Sequence, residues 1–442
     1  MCKFLVKCLV ILTMMIFVNK VAGQTAQQSD TPVSDEINKQ LPKWLSFSGE
    51  YRLRVEGRTG LNGRRNNDDL YTLSRLRLEL TIKPTDNLKF FIQSQDSRIF
   101  GFNSVPIPRI HSDSFDIRQA YVEWQQKNKT GLLIKVGRQE FHYGVGRLVG
   151  HRNWTNVARA FDAVKIGYSQ KNYQVEAFAS SEVINRDNQI NRRRDGANFY
   201  GIFLKIPNLA SKTELNSYVF WRTQRPFVIS ETGVLGNVNV LTFGTTLLGS
   251  INPKLDYELD LMLQRGSFSK DEIRAYAIHS KLNYKFSQKE NTPNIFAEYN
   301  YASGDSSPND GLRGTFDQLF PAAHANYGML DLVGLRNIHN LWIGSTWQST
   351  KKLRFQLDYH SFWLAKRRDG LYSAGGALTA RIRSGAKSNH VAQEINLRTN
   401  YSFRPGVVLE GGYGRWLPGG FWKEATMGAK LSFTYAMLTY KF

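Results

Sequence analysis

From residue 44 to the end of this chain, apolar and polar residues alternate with period two, and helical spacing is almost absent. In WLSFSGEYRLRVEG, Phe47, Tyr51, Leu53 and Val55 oppose Ser48, Glu50, Arg52, Arg54 and Glu56. Successive strand side chains point to opposite faces, so one face is apolar and the other charged. KLDYELDLMLQRG repeats the pattern, with Tyr257, Leu259, Leu261 and Leu263 against Asp256, Glu258 and Asp260. So does KLRFQLDYHSFW, where Leu353, Phe355, Leu357 and Tyr359 oppose Arg354, Gln356, Asp358 and His360. In HVAQEINLRTNYSF, Ile395, Leu397 and Tyr401 oppose Glu394, Asn396 and Arg398. So many long charged faces are hard to bury, and the charged side must meet water.

A soluble sandwich also alternates, and the connections separate the two classes. About eighteen strand candidates are joined alternately by short turns and long loops. Short breaks lie at 84–87, 126–130, 169–172, 207–212, 250–254, 287–293, 349–352 and 404–406. Between them lie connections at 57–69, 98–113, 140–160, 184–196, 225–237, 304–338, 365–388 and 417–426, with one short break at 266–271. Tight turns at one end, long loops at the other and an even strand number are the signature of a bacterial outer-membrane barrel. The predicted fold is all-β: a transmembrane antiparallel β-barrel of about 18 strands with short periplasmic turns and long extracellular loops. The ending TYAMLTYKF alternates Ala436, Leu438, Tyr440 and Phe442, and the final phenylalanine looks like the signal read by the barrel-assembly machinery.

The N-terminus adds an address. MCKFLVK, the apolar CLVILTMMIFV and NKVAGQ follow the basic, apolar, small-residue order of a secretory signal peptide over residues 1–23, cleaved near Gly23. The apolar run is too short to span a bilayer, which needs roughly 20 residues. Residues 24–43 are read as a periplasmic N-terminal segment and 44–442 as the barrel, which places the protein in the cell outer membrane of a Gram-negative type. Both cysteines, Cys2 and Cys8, fall inside the signal, so the mature chain has no disulfide and no cysteine metal site.

Charge changes the picture less than it promises. The formal net charge is +21, and losing Lys3, Lys7 and Lys20 with the signal lowers it to +18. An exported protein rarely meets nucleic acid, so the partners implied are anionic saccharide and lipopolysaccharide phosphate.

Several blocks are recognisable. GRQEFHYGVGRLVGHRNWTNVARAFDAVKIGY, YASGDSSPNDGLRGTFDQLFPAAHANYGMLDLVGLRNIHN, LDYHSFWLAKRRDGLYSAGG and LEGGYGRWLPGGFW resemble the alginate-export family of outer-membrane porins. Weaker similarity at FSGEYRLRVE, QSQDSRIFG and IRQAYVEW extends the resemblance over the whole mature chain. It implies an eighteen-stranded monomeric porin with a basic pore, in which Arg54, Arg138, Arg159 and Asp162 occupy matching positions. After GRQ the chain continues EFHYGVGRLVG, which is similar to the broader family and unlike the dedicated alginate secretor.

Arg52, Arg54, Arg75, Arg77, Arg222, Arg354 and Arg398 fall on faces assigned to the lumen, Arg138 lies at a strand end, and Arg118 has no clear facing. Without Arg118, and with Arg147, Arg152, Arg159 and Asp162 added, they form the candidate pore lining and anion site, because a guanidinium stays charged and grips carboxylates in pairs of hydrogen bonds. The same arginines could instead pair with wall acids such as Glu50, Glu258, Asp358 and Glu394. Arg64, Arg65, Arg192, Arg193, Arg194, Arg367 and Arg368 form extracellular basic loops.

Three enzyme-like or metal-like motifs weigh less. GVGRLVG is one residue too long for a dinucleotide fingerprint and lacks its strand, helix and downstream acid. SGDSSPNDG offers Asp305 and Asp310 but not the ligand alternation of a calcium hand, and the histidines have no zinc spacing, so no metal and no cofactor is expected. Asp358, His360 and Ser361 would be a hydrolase's residue types, but on a regular strand Ser361 faces away from His360. The reading that remains is a passive channel for hydrophilic, anionic solutes such as acidic oligo- or polysaccharide, with an outer-membrane hydrolase of lipid or peptide as the alternative.

Overall fold

The computed structural model describes residues 33–60, 67–103, 106–126, 130–289, 291–307 and 309–442. The segment read as a signal peptide, residues 1–23 with the cleavage position, lies outside the described residues, as do Arg64 and Arg65.

Eighteen strands close into one antiparallel barrel. They are Leu45–Thr59 (β1), Asp69–Thr85 (β2), Leu88–Phe100 (β3), Asp113–Gln125 (β4), Gly131–Gln139 (β5) and Phe161–Ser169 (β6). Next come Gln174–Ile184 (β7), Ala197–Ala210 (β8), Thr213–Ile229 (β9), Leu235–Asn252 (β10), Leu255–Phe268 (β11) and Asp271–Lys285 (β12). The last are Asn294–Ala302 (β13), Ile338–Gln348 (β14), Leu353–Leu364 (β15), His390–Arg404 (β16), Val407–Pro418 (β17) and Leu431–Lys441 (β18). Each pairs with its sequence neighbour, and β1 pairs with β18 from Glu50↔Lys441 to Thr59↔Ser432, which leaves no free edge. Closure satisfies the backbone internally, as a strand in hydrocarbon requires.

Alternation assigns the faces as expected. On β11, Leu259, Leu261 and Leu263 are 46%, 59% and 53% exposed and point outward, whereas Asp260, Met262 and Gln264 are buried inside. Outward aromatics gather at both rims: Trp124, Tyr168, Tyr284 and Trp347 near the short turns, and Tyr276, Tyr299 and Tyr301 near the long loops. These are the girdles of a membrane barrel. The loop expected at 225–237 is shorter than the sequence pattern indicates, because β9 runs on to Ile229 and β10 starts at Leu235.

Closure ends on a ring. Phe442 N donates to Gly49 O at 3.0 Å and Gly49 N to Phe442 O at 2.7 Å. The Phe442 ring lies directly over Gly49, where a Cβ would occupy the same space, and packs near Phe47 and Tyr440. Ahead of β1, the helix Val33–Gln40 (α1) is tied to the barrel by Asn38, which bonds both the N–H and the carbonyl of Phe47.

The interior departs from a wholly wet lumen. Phe161, Phe178, Phe199 and Phe220 on β6–β9, with Val238 and Val240 on β10, are buried inside and pack against Phe141, Leu148, Val149 and Phe316 from two long loops. In SYVFW, Tyr218 and Phe220 face in and Val219 and Trp221 face out, so this strand is apolar on both faces, the pattern of a strand covered on both sides.

Candidate pore constriction

Those covering loops are residues 140–160, between β5 and β6, and 303–337, between β13 and β14. Both turn into the barrel and join each other. Phe320 N donates to Leu148 O at 2.8 Å, Gly150 N to Phe320 O at 2.9 Å and Ala322 N to Gly146 O at 2.9 Å. Gly146 and Gly150 of GVGRLVG serve this contact, each lying against Ala322. Gly146 sits at φ +75°, and a Cβ there would press on the His142 ring and the Ala322 methyl. A side chain at that position would force the two loops apart.

Residues 152–156 then lie on the wall formed by β1–β4. Arg52 donates to Asn153 O at 2.8 Å and Thr155 O at 3.0 Å, Arg54 to Trp154 O at 2.7 Å, and Arg75 to Asn153 O at 3.1 Å. Arg77 reaches Asn153 Oδ1 at 3.0 Å. The Trp154 ring stacks on His324 at 3.8 Å and receives the Arg54 guanidinium at 4.0 Å. Asn156, fully buried, donates to the carbonyls of Ser74, Arg98 and His111. The arginines expected in the lumen on β1 and β2 are therefore inside the barrel, but most of their guanidinium donors go to main-chain carbonyls of an inward loop and to acids such as Glu50 and Glu56, while Nε of Arg52, Arg54 and Arg75 has no partner among the described residues. Arg118 joins them through a bulge: Ile117 pairs with Ser94 and Gln119 with Gln93, so Arg118 and Gln119 both turn inward and Arg118 pairs with Glu140.

Arg147 crosses to the opposite wall. Its side chain is 5% exposed and lies 3.5 Å from Glu258, 3.8 Å from Asp260 and 3.5 Å from Glu298. It also donates to Asn300 Oδ1 at 3.0 Å and Tyr327 Oη at 3.4 Å. One loop is thus pinned at both walls, by arginines of β1–β4 on its carbonyls and by its own arginine among acids of β11 and β13. The arginines cluster on one wall with Glu50 and Glu56 among them, and the acids of the other wall also take His279 and Lys281.

The remaining expected residues divide. Arg159 holds Glu182 at 3.3 Å and the carbonyls of Gly150 and Pro321, and Arg222 pairs with Asp317 of the second loop. Arg398 lies 3.6 Å from Asp358 on the inner wall, and Arg354 is exposed at the short-turn end. Arg152 takes a left-handed backbone at φ +61° where the loop turns down onto the wall. Arg138 and Asp162 differ from expectation. Ile134 and Val136 face outward, and Arg138 shares their parity, so the directly opposed Arg138–Asp162 pair, 2.8 Å apart, stands on the outer face at the rim under Asn191. Of the basic loops, Arg193 and Arg194 pair with Asp195 and Glu182, Arg192 is exposed, Arg367 donates to Lys387 O, and the Arg368 side chain lies beside Gly385.

Where the loop leaves the lumen open, a cavity of about 660 Å³ remains, whose border mixes the cations Lys135, Lys165, Lys205 and Arg147 with the acids Glu140, Glu176, Glu214, Glu258 and Asp260, beside His142. Lys135 and Lys165 stand directly opposite across β5 and β6. Lys165 pairs with Glu176 at 3.2 Å, Lys205 with Glu214 at 2.8 Å and Lys135 with Glu123 at 3.7 Å, and the Lys135 ammonium also sits 3.6 Å from the centre of the Tyr121 ring. The arginine reading passed over Lys135 and Lys165, although NKTGLLIKVG and FDAVKIGY place them opposite the outward Ile134, Val136, Val164 and Ile166.

Asp305 and Asp310 cap their own loop, accepting from Ser307 N and Leu312 N at 2.9 Å. Among the described residues no group of three or more His, Asp or Glu side chains could hold a metal ion. His360 is buried beside Asp358 and Asn340 on the inner wall, and the next residue, Ser361, takes the opposite face.

The fold is shared with solved outer-membrane protein structures. Pseudomonas aeruginosa OpdO superposes with a TM-score of 0.60 at 14% identity, covering 92% of this chain and 99% of that one. OpdK of the same organism gives 0.61 at 10% identity, covering 90% and 99%, and Acinetobacter baumannii OccAB2 gives 0.60 at 9%, covering 90% and 98%. No curated protein matches the sequence. The model of the alginate export family matches residues 43–434. With that match over most of a closed eighteen-stranded barrel, this chain belongs to the alginate export family and is an outer-membrane channel protein.

Proposed function

We propose that the protein is a passive, monomeric diffusion channel for small hydrophilic anions such as acidic saccharides, and that it catalyses no reaction. The observation that carries this reading is the Lys135↔Lys165 pair on the open side of the constriction. Each lysine has a carboxylate partner, Glu123 for Lys135 at 3.7 Å and Glu176 for Lys165 at 3.2 Å, and both ammonium groups still border the open cavity, where an anionic solute would be attracted to the two together. The pinned loop limits size: about 660 Å³ suits a solute of about one or two sugar units and not a polymer several strands thick. The inner arginines act one step back, holding the loop and biasing the field across the lumen. Residues 1–23 supply export and Phe442 recruits the assembly machinery, a reading supported by the sequence pattern at each end.

The test is reversal potential in planar bilayers under a salt gradient. Wild type is expected to prefer anions, and Lys135→Glu with Lys165→Glu is expected to move the potential toward cations. An unchanged potential in the folded double variant removes the lysine pair from the filter, and absence of any conductance refutes the channel.

A further inference from the structure

The outer wall carries a cleft that conduction does not use. Tyr200 on β8, Trp221 on β9, Leu241 on β10, Arg265 on β11 and Arg274 on β12 stand directly opposite one another in successive registers. All five face outward, so one row passes from aromatic to basic across about 19 Å at a strand spacing of about 4.8 Å. On the short-turn side of the row the outward residues are apolar: Ile202, Val219, Phe243, Leu263 and Tyr276, all exposed. On the loop side they are Asn198, Thr223, Asn239, Ser267 and Glu272. The row is the line where the apolar belt ends and the headgroup level begins.

The aromatic half of the row borders a cavity of about 480 Å³. Its rim is Asn198, Thr223, Arg225, Asn237 and Asn239, and its aromatic side is Tyr200 and Trp221, whose ring centres are 5.1 Å apart. The Trp221 indole N–H donates to Asn239 Oδ1 at 2.6 Å, which fixes the ring's edge. The basic half holds two guanidinium groups opposed across β11 and β12, with the Glu272 carboxylate as their one acidic neighbour among the described contacts, which leaves the pair with a net positive charge. Arg274 is engaged by Glu272 at 2.8 and 2.9 Å, whereas Arg265 donates only to the Gln264 carbonyl at 2.8 Å.

We propose that this row is a binding site for the phosphorylated sugar headgroup of an outer-leaflet glycolipid. The sugar lies against Tyr200 and Trp221, with its hydroxyls on Asn198, Thr223 and Asn239. A phosphate sits beside Arg265, whose Nε and Nη2 are the donors left for it, with Arg274 adding charge from across the strand pair while its own Nε and Nη2 stay on Glu272. The acyl chains run down the outward faces of Ile202, Val219 and Phe243. Charge complementarity and position choose this occupant: a cationic pair and a sugar-sized aromatic cleft meet at the edge of the lipid belt, on the loop side. The inference rests on the barrel's place in the outer membrane and not on which solute passes through it.

The test uses full-length protein refolded in uncharged detergent free of lipopolysaccharide. It is titrated separately with bisphosphorylated lipid A, dephosphorylated lipid A and phosphatidylglycerol, and bound lipid is read by native mass spectrometry. Wild type is expected to hold bisphosphorylated lipid A about tenfold more tightly than either other lipid. Arg265→Gln with Arg274→Gln is expected to lose that preference, and Trp221→Ala to weaken binding of both lipid A forms. Equal retention of phosphatidylglycerol, which is general attraction to anionic lipid, overturns the proposal, and so does undiminished lipid A binding by the folded arginine double variant. Heat-modifiable gel mobility reports folding. Conductance recorded on the same samples is expected to stay at the wild-type value, so a failure of the channel reading is seen separately.

Discussion

Arg147→Met removes the pin that fastens the inward loop to the acidic wall. The wild-type side chain is 5% exposed and lies within 3.8 Å of Glu258, Asp260 and Glu298, so its loss leaves those carboxylates without their shared cation. Breaking a buried charge cluster by removing one partner costs about 3–5 kcal/mol. The arginines of β1–β4 still hold residues 152–156, so the cost falls on local opening of residues 143–150 and the loop segment at 320–322 that pairs with them. At about 1.4 kcal/mol per decade, the open population rises by about two to three and a half decades. The assay is amide hydrogen exchange at Gly150 and Phe320, whose N–H groups bond Phe320 O and Leu148 O across the two loops. Protection at these amides is expected to fall by that factor while strand amides of β1 and β2 keep theirs. Single-channel conductance is expected to rise, and Arg147→Lys to lie between, because an ammonium keeps the charge but not the planar fork. Unchanged protection at both amides refutes the pin.

Other outcomes follow from the same contacts. Gly49→Val places a side chain under the Phe442 ring and is expected to destabilise closure by about 1–3 kcal/mol, seen as heat conversion of the folded gel band at lower temperature; an unshifted conversion counts against the ring's role. Arg138→Ala is expected to leave reversal potential unchanged, since the Arg138–Asp162 pair faces outward; a shift in selectivity would return it to the lumen. Burial, with a hydrogen bond shared with Asp305, pushes the Glu231 carboxyl in loop 230–234 up to about 7. A raised carboxyl stabilises while protonated, so the contact between this loop and 303–337 is complete below about pH 4.5 and is lost as pH rises through about 7. Limited proteolysis of folded protein across that range is expected to show the loops becoming more accessible with pH in wild type but not in Glu231→Gln; parallel profiles would exclude the carboxyl.

The barrel was legible because its determinants are local. Alternation such as Leu259, Asp260, Leu261 is a property of consecutive residues, and the lengths of connections mark the two ends of the wall. The outward facing of Arg138 was also within reach, since it shares parity with Ile134 and Val136. Arg118 was not, because a bulge between β3 and β4 breaks the parity that alternation relies on.

The sequence by itself determined a closed wall, apolar outside and charged inside, with an arginine-rich stripe near its start. Only the tertiary structure decided what that stripe touches. Arg52 meets Asn153 and Thr155, about a hundred residues along the chain, and Arg147 meets Glu298 after a still longer separation. Whether a long loop leaves the barrel or folds into it depends on such contacts, which carry no periodicity. The same glycine-rich stretch is therefore compatible with either course until the donors of one wall and the carboxylates of the other are placed around it.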